Sequence, residues 1–113
     1  MSGLALAIIG SRTAVNIDIG AHIPPDTSLI ISGGARGADT CAANYARAHG
    51  IELLEIRPDY AHHPGRIAPL LRNRQIVDAA DMVLAFWDGQ SHGTKYTINY
   101  AQSKGVPVVI VPI

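Results

Sequence analysis

The sequence predicts an α/β fold, a three-layer α/β/α arrangement around a mainly parallel sheet of five strands. Five short apolar runs recur along its 113 residues, and segments with a helical spacing of apolar side chains lie between most of them. A chain that alternates strands and helices forms a parallel sheet whose crossovers are right-handed. The length is typical of one domain, so we predict a single domain over residues 1–113.

The predicted strands are short and apolar. They cover residues 4–9, 29–32, 51–56, 82–87 and 106–111. The last four are short and have apolar or β-branched residues on both faces, as expected of strands that helices cover on both sides. Residues 24–26 (Pro-Pro-Asp) form a turn before the second strand, and Pro58 stops the third. Residues 13–23 have the weakest pattern, because their apolar residues partly alternate and Gly20 interrupts them.

The first predicted helix begins directly after a glycine-rich loop. Its apolar face is formed by Ala38, Cys41, Ala42, Tyr45 and Ala46. Most of these side chains are small, so the helix can approach the sheet closely. Gly50 then stands where a glycine commonly ends a helix.

Two further helices are predicted in the second half of the chain. One covers residues 67–80, where Leu70 and Val77 share an apolar stripe. The other covers residues 94–104 and ends before Gly105, a second candidate for a helix-ending glycine.

The composition argues against several classes of function. Lysines and arginines number 9 and so do the acids, so the formal charge is zero, which argues against a protein that coats duplex DNA or an anionic membrane. No apolar run approaches the ~20 residues of a membrane helix, and no signal peptide opens the sequence. The single cysteine, Cys41, excludes an intramolecular disulfide framework and fits a reducing compartment. We therefore expect a cytoplasmic protein without a membrane partner.

Polar and glycine-rich segments follow the predicted strands directly, at the edge where parallel sheets bind ligands. These segments are residues 10–12, 33–37, 57–60 and 88–95. Their cations are Arg12, Arg36, Arg57 and Lys95. By contrast, Asp26 and Asp81 precede strands and belong to the opposite edge. A zero net charge can therefore hide a locally positive crevice, although Asp39, Asp59 and Asp88 reduce the effect. The placement favours an anionic ligand.

The glycine-rich loop has the spacing of a phosphate-binding turn. Gly34-Ala35-Arg36-Gly37 is a G-x-x-G, and Ser32 stands where a dinucleotide fingerprint has its first glycine. Backbone N–H groups at the start of the following helix attract phosphate or carboxylate, and Arg36 can donate two hydrogen bonds to a phosphate. The alternative is a tight turn that only needs positive φ. No Gly-Lys-Ser/Thr follows, so a magnesium-bound triphosphate is not predicted.

A similar arrangement follows the fourth strand. Ser91, Gly93 and Thr94 offer hydroxyls and backbone donors at a helix start, with the alternative that Thr94 is only the N-cap. Asn73 shares the stripe of Leu70 and Val77, where an amide needs partners, so it either ties loops together or contacts the ligand.

Each of the remaining polar and aromatic candidates could bind the ligand or have only a structural or solvent-exposed role. Arg72 and Arg74 either face the ligand or only solvent. His62 and His63 have no cysteine or acid at metal-ligand spacing, so no metal is predicted. Tyr60 and Trp87 are able to stack on a base, although Trp87 at a strand end equally suits packing.

Four stretches resemble the SLOG superfamily, and within it the small YspA-type (YpsA-related) branch. They are IIGSR (8–12), ISGGARGADTCAANYA (31–46), RNRQIVDAADMVLAFWDGQSHGT (72–94) and GVPVVIVPI (105–113). The resemblance covers almost the whole chain. It implies a Rossmann-like nucleotide-binding fold, with the lonely guy (LOG) phosphoribohydrolases and the DNA-processing protein DprA as relatives. It also implies a homo-oligomer, a dimer or larger.

The resemblance also implies a set of ligand residues. Transferred by motif, they are Gly10, Ser11, Arg12, Gly33, Gly34, Ala35, Arg36, Gly37, Asp39, Arg72, Asn73, Ser91, Gly93 and Thr94. Ser32 and Lys95 join them from the fingerprint position and the edge placement described above.

The chain departs from the lonely guy enzymes after Gly93-Thr94, where those enzymes have a glutamate pair. Tyr96 and Thr97 stand there instead. N-glycosidic cleavage develops positive charge on the sugar, which a carboxylate stabilises. Asp39 and Asp88 are the remaining candidates for a catalytic carboxylate, and spacing supports neither, so no catalytic residue is assigned.

Three hypotheses follow from the sequence. The first is binding or sensing of a nucleotide or nucleotide-sugar phosphate at the carboxyl edge, with no further cofactor. The second is a lonely-guy-like phosphoribohydrolase acting on nucleoside monophosphates. The third is DprA-like binding of single-stranded DNA. Nucleic acid is expected to be an unlikely partner, because a neutral chain with one Trp and one Phe lacks an obvious basic and aromatic groove.

Overall fold

The computed structural model of the protein describes residues 3–14, 17–34 and 37–113. Its strands are β1 (Leu4–Gly10), β2 (Thr27–Ser32), β3 (Glu52–Glu55), β4 (Met82–Trp87) and β5 (Val108–Pro112). Its α-helices are α1 (Ala38–His49), α2 (Ala68–Asp78) and α3 (His92–Ser103). A short 3-10 turn covers Ile19–His22. The predicted α/β class is confirmed.

The five strands form one sheet in the order β3-β2-β1-β4-β5, and every neighbouring pair is parallel. The chain builds outward from β1 to β3 and then returns to place β4 on the other side of β1. The carboxyl ends of β1 and β4 are therefore the point where the strand order reverses. In open parallel sheets, the ligand crevice opens at this point.

The alternating side chains of the central strands divide the core between the two faces of the sheet. Leu6 and Ile8 of β1 point to one face, where α1 packs through Ala42 and Ala46. Ala7 and Ile9 point to the other face, where α2 and α3 pack through Ile76, Val77, Ile98 and Ala101. This division produces the predicted three layers, and the alanines of α1 permit the predicted close approach to the sheet.

The edge strands differ most from the prediction. β5 begins at Val108 rather than at residue 106, because the Val106 N–H donates to Ala101 O at the end of α3 and Pro107 has no N–H. The expectation that helices cover both faces is wrong for both edge strands, since Val109 and Ile110 of β5 and Leu54 of β3 are each 41% exposed. β5 lies at the sheet border, where Val108 and Val111 pack against the core and Val109 and Ile110 do not.

The carboxyl end of α1 lies at the glycine predicted from the sequence, whereas the start of α3 differs from the prediction. Gly50 ends α1 in the left-handed conformation with φ of 66° and donates its N–H to Ala46 O, as predicted. Helix α3 begins at His92, two residues earlier than predicted, because Ser91 is the N-cap and accepts a hydrogen bond from Thr94 N at 3.4 Å. Thr94 is therefore not the cap. Among the described residues, no helix is long and apolar enough to cross a membrane.

Candidate functional site

A cleft of about 170 Å³ opens at the carboxyl end of β1, between the first turns of α2 and α3. Ile9 and Ile76 contribute apolar side chains to its wall. Eight of the predicted ligand residues line it: Gly10, Arg12, Asp39, Arg72, Asn73, Ser91, Gly93 and Thr94. The structure therefore brings together residues that are up to 84 positions apart, from Gly10 to Thr94, at the predicted edge of the sheet.

Arg72 joins α2 to the glycine-rich loop from inside the cleft. Its side chain is only 9% exposed. Nη1 donates to the carbonyl oxygens of Gly33 at 2.7 Å and Ile56 at 3.4 Å, and Nε donates to Asn73 Oδ1 at 2.7 Å. Burial lowers the pKa of Arg72, whereas the Asp39 carboxylate and the Tyr60 phenol act in the opposite direction. The interpretation of Arg72 as a solvated residue is therefore wrong. Asn73 helps to fix the position of the Arg72 side chain by accepting its Nε hydrogen bond.

Close approaches at two positions explain the glycines of the first loop. A Cβ on Gly33 would lie 2.7 Å from Arg72 Cζ and 3.0 Å from Asp39 Oδ2, so both charged groups converge on this residue. Gly37 has φ of 76°, and a Cβ there would lie 2.8 Å from the carbonyl oxygen of Ser11. The backbone could therefore not take this path with larger residues.

The start of α3 faces the cleft with two hydroxyls. Ser91 Oγ and Thr94 Oγ1 lie 3.1 Å apart and share a hydrogen bond. Thr97, one turn later, also lines the cleft, and its Oγ1 donates to Gly93 O at 2.9 Å. The helix dipole adds partial positive charge at this end, so the surface suits an anionic ligand. Thr97 was missed from the sequence, although its i+3 spacing from Thr94 was a readable signal.

Ser11 and Asp88 do not line the cleft; they stabilise the turn that carries Ser91 into it. The Ser11 side chain is buried, and its Oγ accepts a hydrogen bond from Asp88 N at 3.2 Å. Asp88 Oδ1 accepts from Gln90 N and Ser91 N, both at 2.9 Å, and Oδ2 accepts from Thr13 Oγ1 at 3.3 Å. These bonds, first of all that from Gln90, hold the pKa of Asp88 below 3.8. Asp88 therefore holds the turn before α3, and Asp39 is the candidate carboxylate that lines the cleft.

Five other predicted ligand residues lie around the cleft rather than in its lining. Ser32 is fully buried, and its Oγ has no hydrogen-bond partner among the described residues. Gly34 has φ of 71°, and its carbonyl oxygen accepts a hydrogen bond from Arg57 Nη1 at 3.4 Å. Lys95 is exposed on α3. The other two are Gly33 and Gly37, described above.

Two predicted ligand residues, Ala35 and Arg36, lie outside the described part of the chain. The proposed role of Arg36 on a phosphate stays a prediction. In residues 3–14, 17–34 and 37–113, no group of three or more His, Cys, Asp or Glu could hold a metal ion.

The two aromatic candidates for base stacking, Trp87 and Tyr60, differ in how far they are packed into the protein. Trp87 Nε1 donates to Ser91 O at 3.0 Å, and its ring packs against the core on the α2 and α3 side of the sheet. Trp87 is therefore part of the framework. Tyr60, in the loop between β3 and α2, is 61% exposed.

The fold is shared with two solved structures. The DNA processing protein A of Helicobacter pylori superposes with a TM-score of 0.71 at 20% identity, over 99% of this chain and 66% of that chain. The DprA protein of Streptococcus pneumoniae superposes with a TM-score of 0.72 at 18% identity, over 98% of this chain and 51% of that chain. This chain therefore spans between half and two thirds of their length. At these identities the likeness establishes the fold.

The comparison corrects one expectation from the sequence. The H. pylori structure was described for its single-stranded DNA binding mode. Treating nucleic acid as an unlikely partner is therefore wrong, since a protein with this fold binds it. The expectation was drawn from the net charge of the whole chain, which carries no information on how charge is distributed around one edge of the sheet.

Two similarities at the sequence level define the family. Residues 18–63 match the model of the YspA, cpYpsA-related SLOG family. The chain is also 38% identical over 94 residues to the Gene 61 protein of Mycobacterium phage D29, and the aligned part covers 78% of this chain and 74% of that protein. With the Rossmann-like sheet and the residues gathered at its carboxyl edge, these matches show that the chain belongs to the YspA, cpYpsA-related SLOG family.

Proposed function

We propose that the protein binds single-stranded DNA and that the cleft at the carboxyl end of β1 holds one phosphate of the strand. The observation that carries this proposal is the convergence of Arg12, Arg72 and the α3 start on one small cleft. A phosphate there would meet two guanidinium groups, the hydroxyls of Ser91 and Thr94, and the positive end of a helix.

The size of the cleft supports a ligand that extends beyond it. Its volume of about 170 Å³ is below the roughly 300–1,000 Å³ of pockets that enclose a whole drug-sized molecule. A phosphate and part of its sugar fit such a volume, whereas a base would remain outside. Asp39 also lines the cleft, so its negative charge limits how many phosphates the site accepts. One phosphate inside and the rest of the strand outside match this arrangement.

The likeness to the H. pylori protein supports the same class of ligand. That protein was described for a single-stranded DNA binding mode, and its fold matches 99% of this chain. Single-strand binding combines a cationic track with exposed aromatic rings, and needs no large enclosed pocket. The zero net charge of this chain is compatible with a short cationic track at one edge.

A second candidate is a free nucleotide or nucleotide-sugar phosphate, bound without hydrolysis. The small cleft favours it in one respect, because a volume of about 170 Å³ suits the terminal phosphate of a single nucleotide. Both candidates place a phosphate on the same residues. They differ in whether the remainder of the ligand is a polymer.

Fluorescence anisotropy of a labelled single-stranded oligothymidine would test the proposal. We expect saturable binding that weakens as salt rises, because phosphate contacts release counterions. Unlabelled single strand should compete well, while duplex of the same length and thymidine monophosphate should compete poorly. Displacement by the monophosphate or by ADP-ribose at low concentration would favour the second candidate. Absence of binding by every one of these ligands would contradict both.

A further inference from the structure

The loop between β3 and α2 borders the cleft at both of its ends. At its start, Ile56 O accepts a hydrogen bond from Arg72 Nη1 at 3.4 Å, and Arg57 Nη1 donates to Gly34 O at 3.4 Å. At its end, Pro64 O accepts from the backbone N–H groups of Ile67 and Ala68, which lead into Pro69 on the cleft wall. The two ends of the segment 57–67 are therefore anchored beside the cleft.

Tyr60 is the most exposed large hydrophobic side chain in the described part of the protein. Its exposure is 61%, and Ile67 on the same loop is 47% exposed. Tyr60 stands three residues after Arg57, whose Nη1 donates to Gly34 O in the glycine-rich loop. Covering one face of a large aromatic ring removes much apolar surface from water. An exposed ring near a ligand cleft is therefore a candidate for contact with the ligand.

The charges of this loop suit a polyanion. Arg57 and Arg66 are exposed, and the only acid among residues 57–67 is Asp59. Arg57 Nη2 also forms an exposed ion pair with Glu55 Oε1 at 3.4 Å, which solvent weakens and which leaves Nη1 on Gly34 O. The carboxylate of Asp59 is engaged by His62, whose Nδ1 lies 2.9 Å from Oδ2. Exposed cations around an aromatic ring are the combination that holds single-stranded nucleic acid, since bases stack on the ring and phosphates meet the cations.

We propose that Tyr60 is the platform on which a base of the bound strand stacks, next to the nucleotide whose phosphate occupies the cleft. This inference rests on the proposed function and adds a base-binding subsite to it. Arg57, at the start of the loop and in contact with Gly34 O, binds the phosphate that links the two nucleotides. Stacking on a ring accepts any base, so the subsite contributes affinity with little sequence preference.

The test compares two substitutions at Tyr60 on two strands of equal length. Tyr60→Phe keeps a planar ring, whereas Tyr60→Leu keeps an apolar side chain without one. One strand is oligothymidine, and the other is an abasic strand with the same sugars and phosphates. Because Tyr60 is exposed, neither substitution should change the melting temperature.

The expected result is a base-dependent loss. Wild-type protein should bind oligothymidine more tightly than the abasic strand, and Tyr60→Leu should weaken binding of oligothymidine about 10-fold. The same variant should leave binding of the abasic strand unchanged, and Tyr60→Phe should behave as wild type. Equal binding of both strands by wild type, or an equal loss on both strands in Tyr60→Leu, would overturn the base subsite while leaving phosphate binding in place. Failure of wild type to bind either strand would overturn the proposed function and the subsite with it.

Discussion

The Arg72 guanidinium on α2 donates a hydrogen bond of 2.7 Å to the backbone carbonyl of Gly33, at the end of β2. The same side chain also reaches Ile56 O and Asn73 Oδ1. One buried arginine thus fixes the glycine-rich loop relative to the helix that forms the opposite wall of the cleft.

Replacing this arginine should destabilise the protein. Arg72→Ala leaves the Gly33 carbonyl without its donor in a buried place, so we expect a loss of roughly 2 kcal/mol in the free energy of unfolding. Arg72→Lys should recover little, because a lysine cannot donate to several acceptors in a fixed fork. Urea unfolding measures both. An Arg72→Ala variant with wild-type stability would contradict the role of this side chain in the framework.

Gly37 should tolerate no side chain. Gly37→Ala forces a residue with a Cβ into φ of 76° and places that Cβ 2.8 Å from Ser11 O, so we expect a loss above about 1 kcal/mol. Gly65→Ala is the matched control, since nothing lies within 4 Å of a Cβ there. Thermal unfolding of the two variants should differ by several degrees. Equal melting temperatures would contradict the requirement for glycine directly before α1, where the backbone passes close to Ser11 O.

The turn before α3 should loosen in acid. The pKa of Asp88 is lowered in the folded protein, first by the hydrogen bond from Gln90 N, so its stabilising effect is complete above the ordinary value of 3.8. That effect is lost as the pH falls through the lowered pKa. Asp88→Asn removes the charge, so its melting temperature should depend less on pH below 3.8 than that of wild type. Parallel losses in the two proteins would mean that Asp88 does not contribute to acid unfolding.

The protein should leave nucleoside monophosphates intact. At the positions of the lonely guy glutamate pair, Tyr96 OH accepts a hydrogen bond from Arg74 Nε at 2.6 Å and Thr97 Oγ1 donates to Gly93 O. Neither residue is an acid. Chromatography after incubation with AMP, GMP and CMP should therefore show no free base. Release of a base would instead implicate Asp39, the carboxylate that lines the cleft, and Asp39→Asn would be the variant to assay.

The order of elements was predictable because apolar runs and glycines mark strands and turns directly. The Gly50 and Gly105 positions, both with positive φ, are examples. The edge strand β5 was less predictable, because a run such as VVIV is equally suited to a buried or a border strand. Its exposure depends on which helices reach it, and this is decided by packing between distant parts of the chain.

The site was predictable as a set of segments and less so as a set of contacts. Residues that follow parallel strands must share one edge, so Arg12 and Ser91 were expected together. Arg72, inside a predicted helix, joined them only through the family resemblance. The sequence could not separate Ser11 and Asp88, which hold the turns from behind, from residues that line the cleft. That distinction depends on side-chain direction within loops, which has no periodic signal.

The most direct test of the central claim is the effect of a single exposed arginine on strand binding. Arg12 lines the cleft and is exposed, so Arg12→Ala should weaken binding of single-stranded oligothymidine about 10-fold or more without lowering the melting temperature. Arg47→Ala removes the same charge from the last turn of α1, outside the cleft lining, and should bind as wild type. An equal effect of the two substitutions, or no effect of Arg12→Ala, would contradict a phosphate site in this cleft.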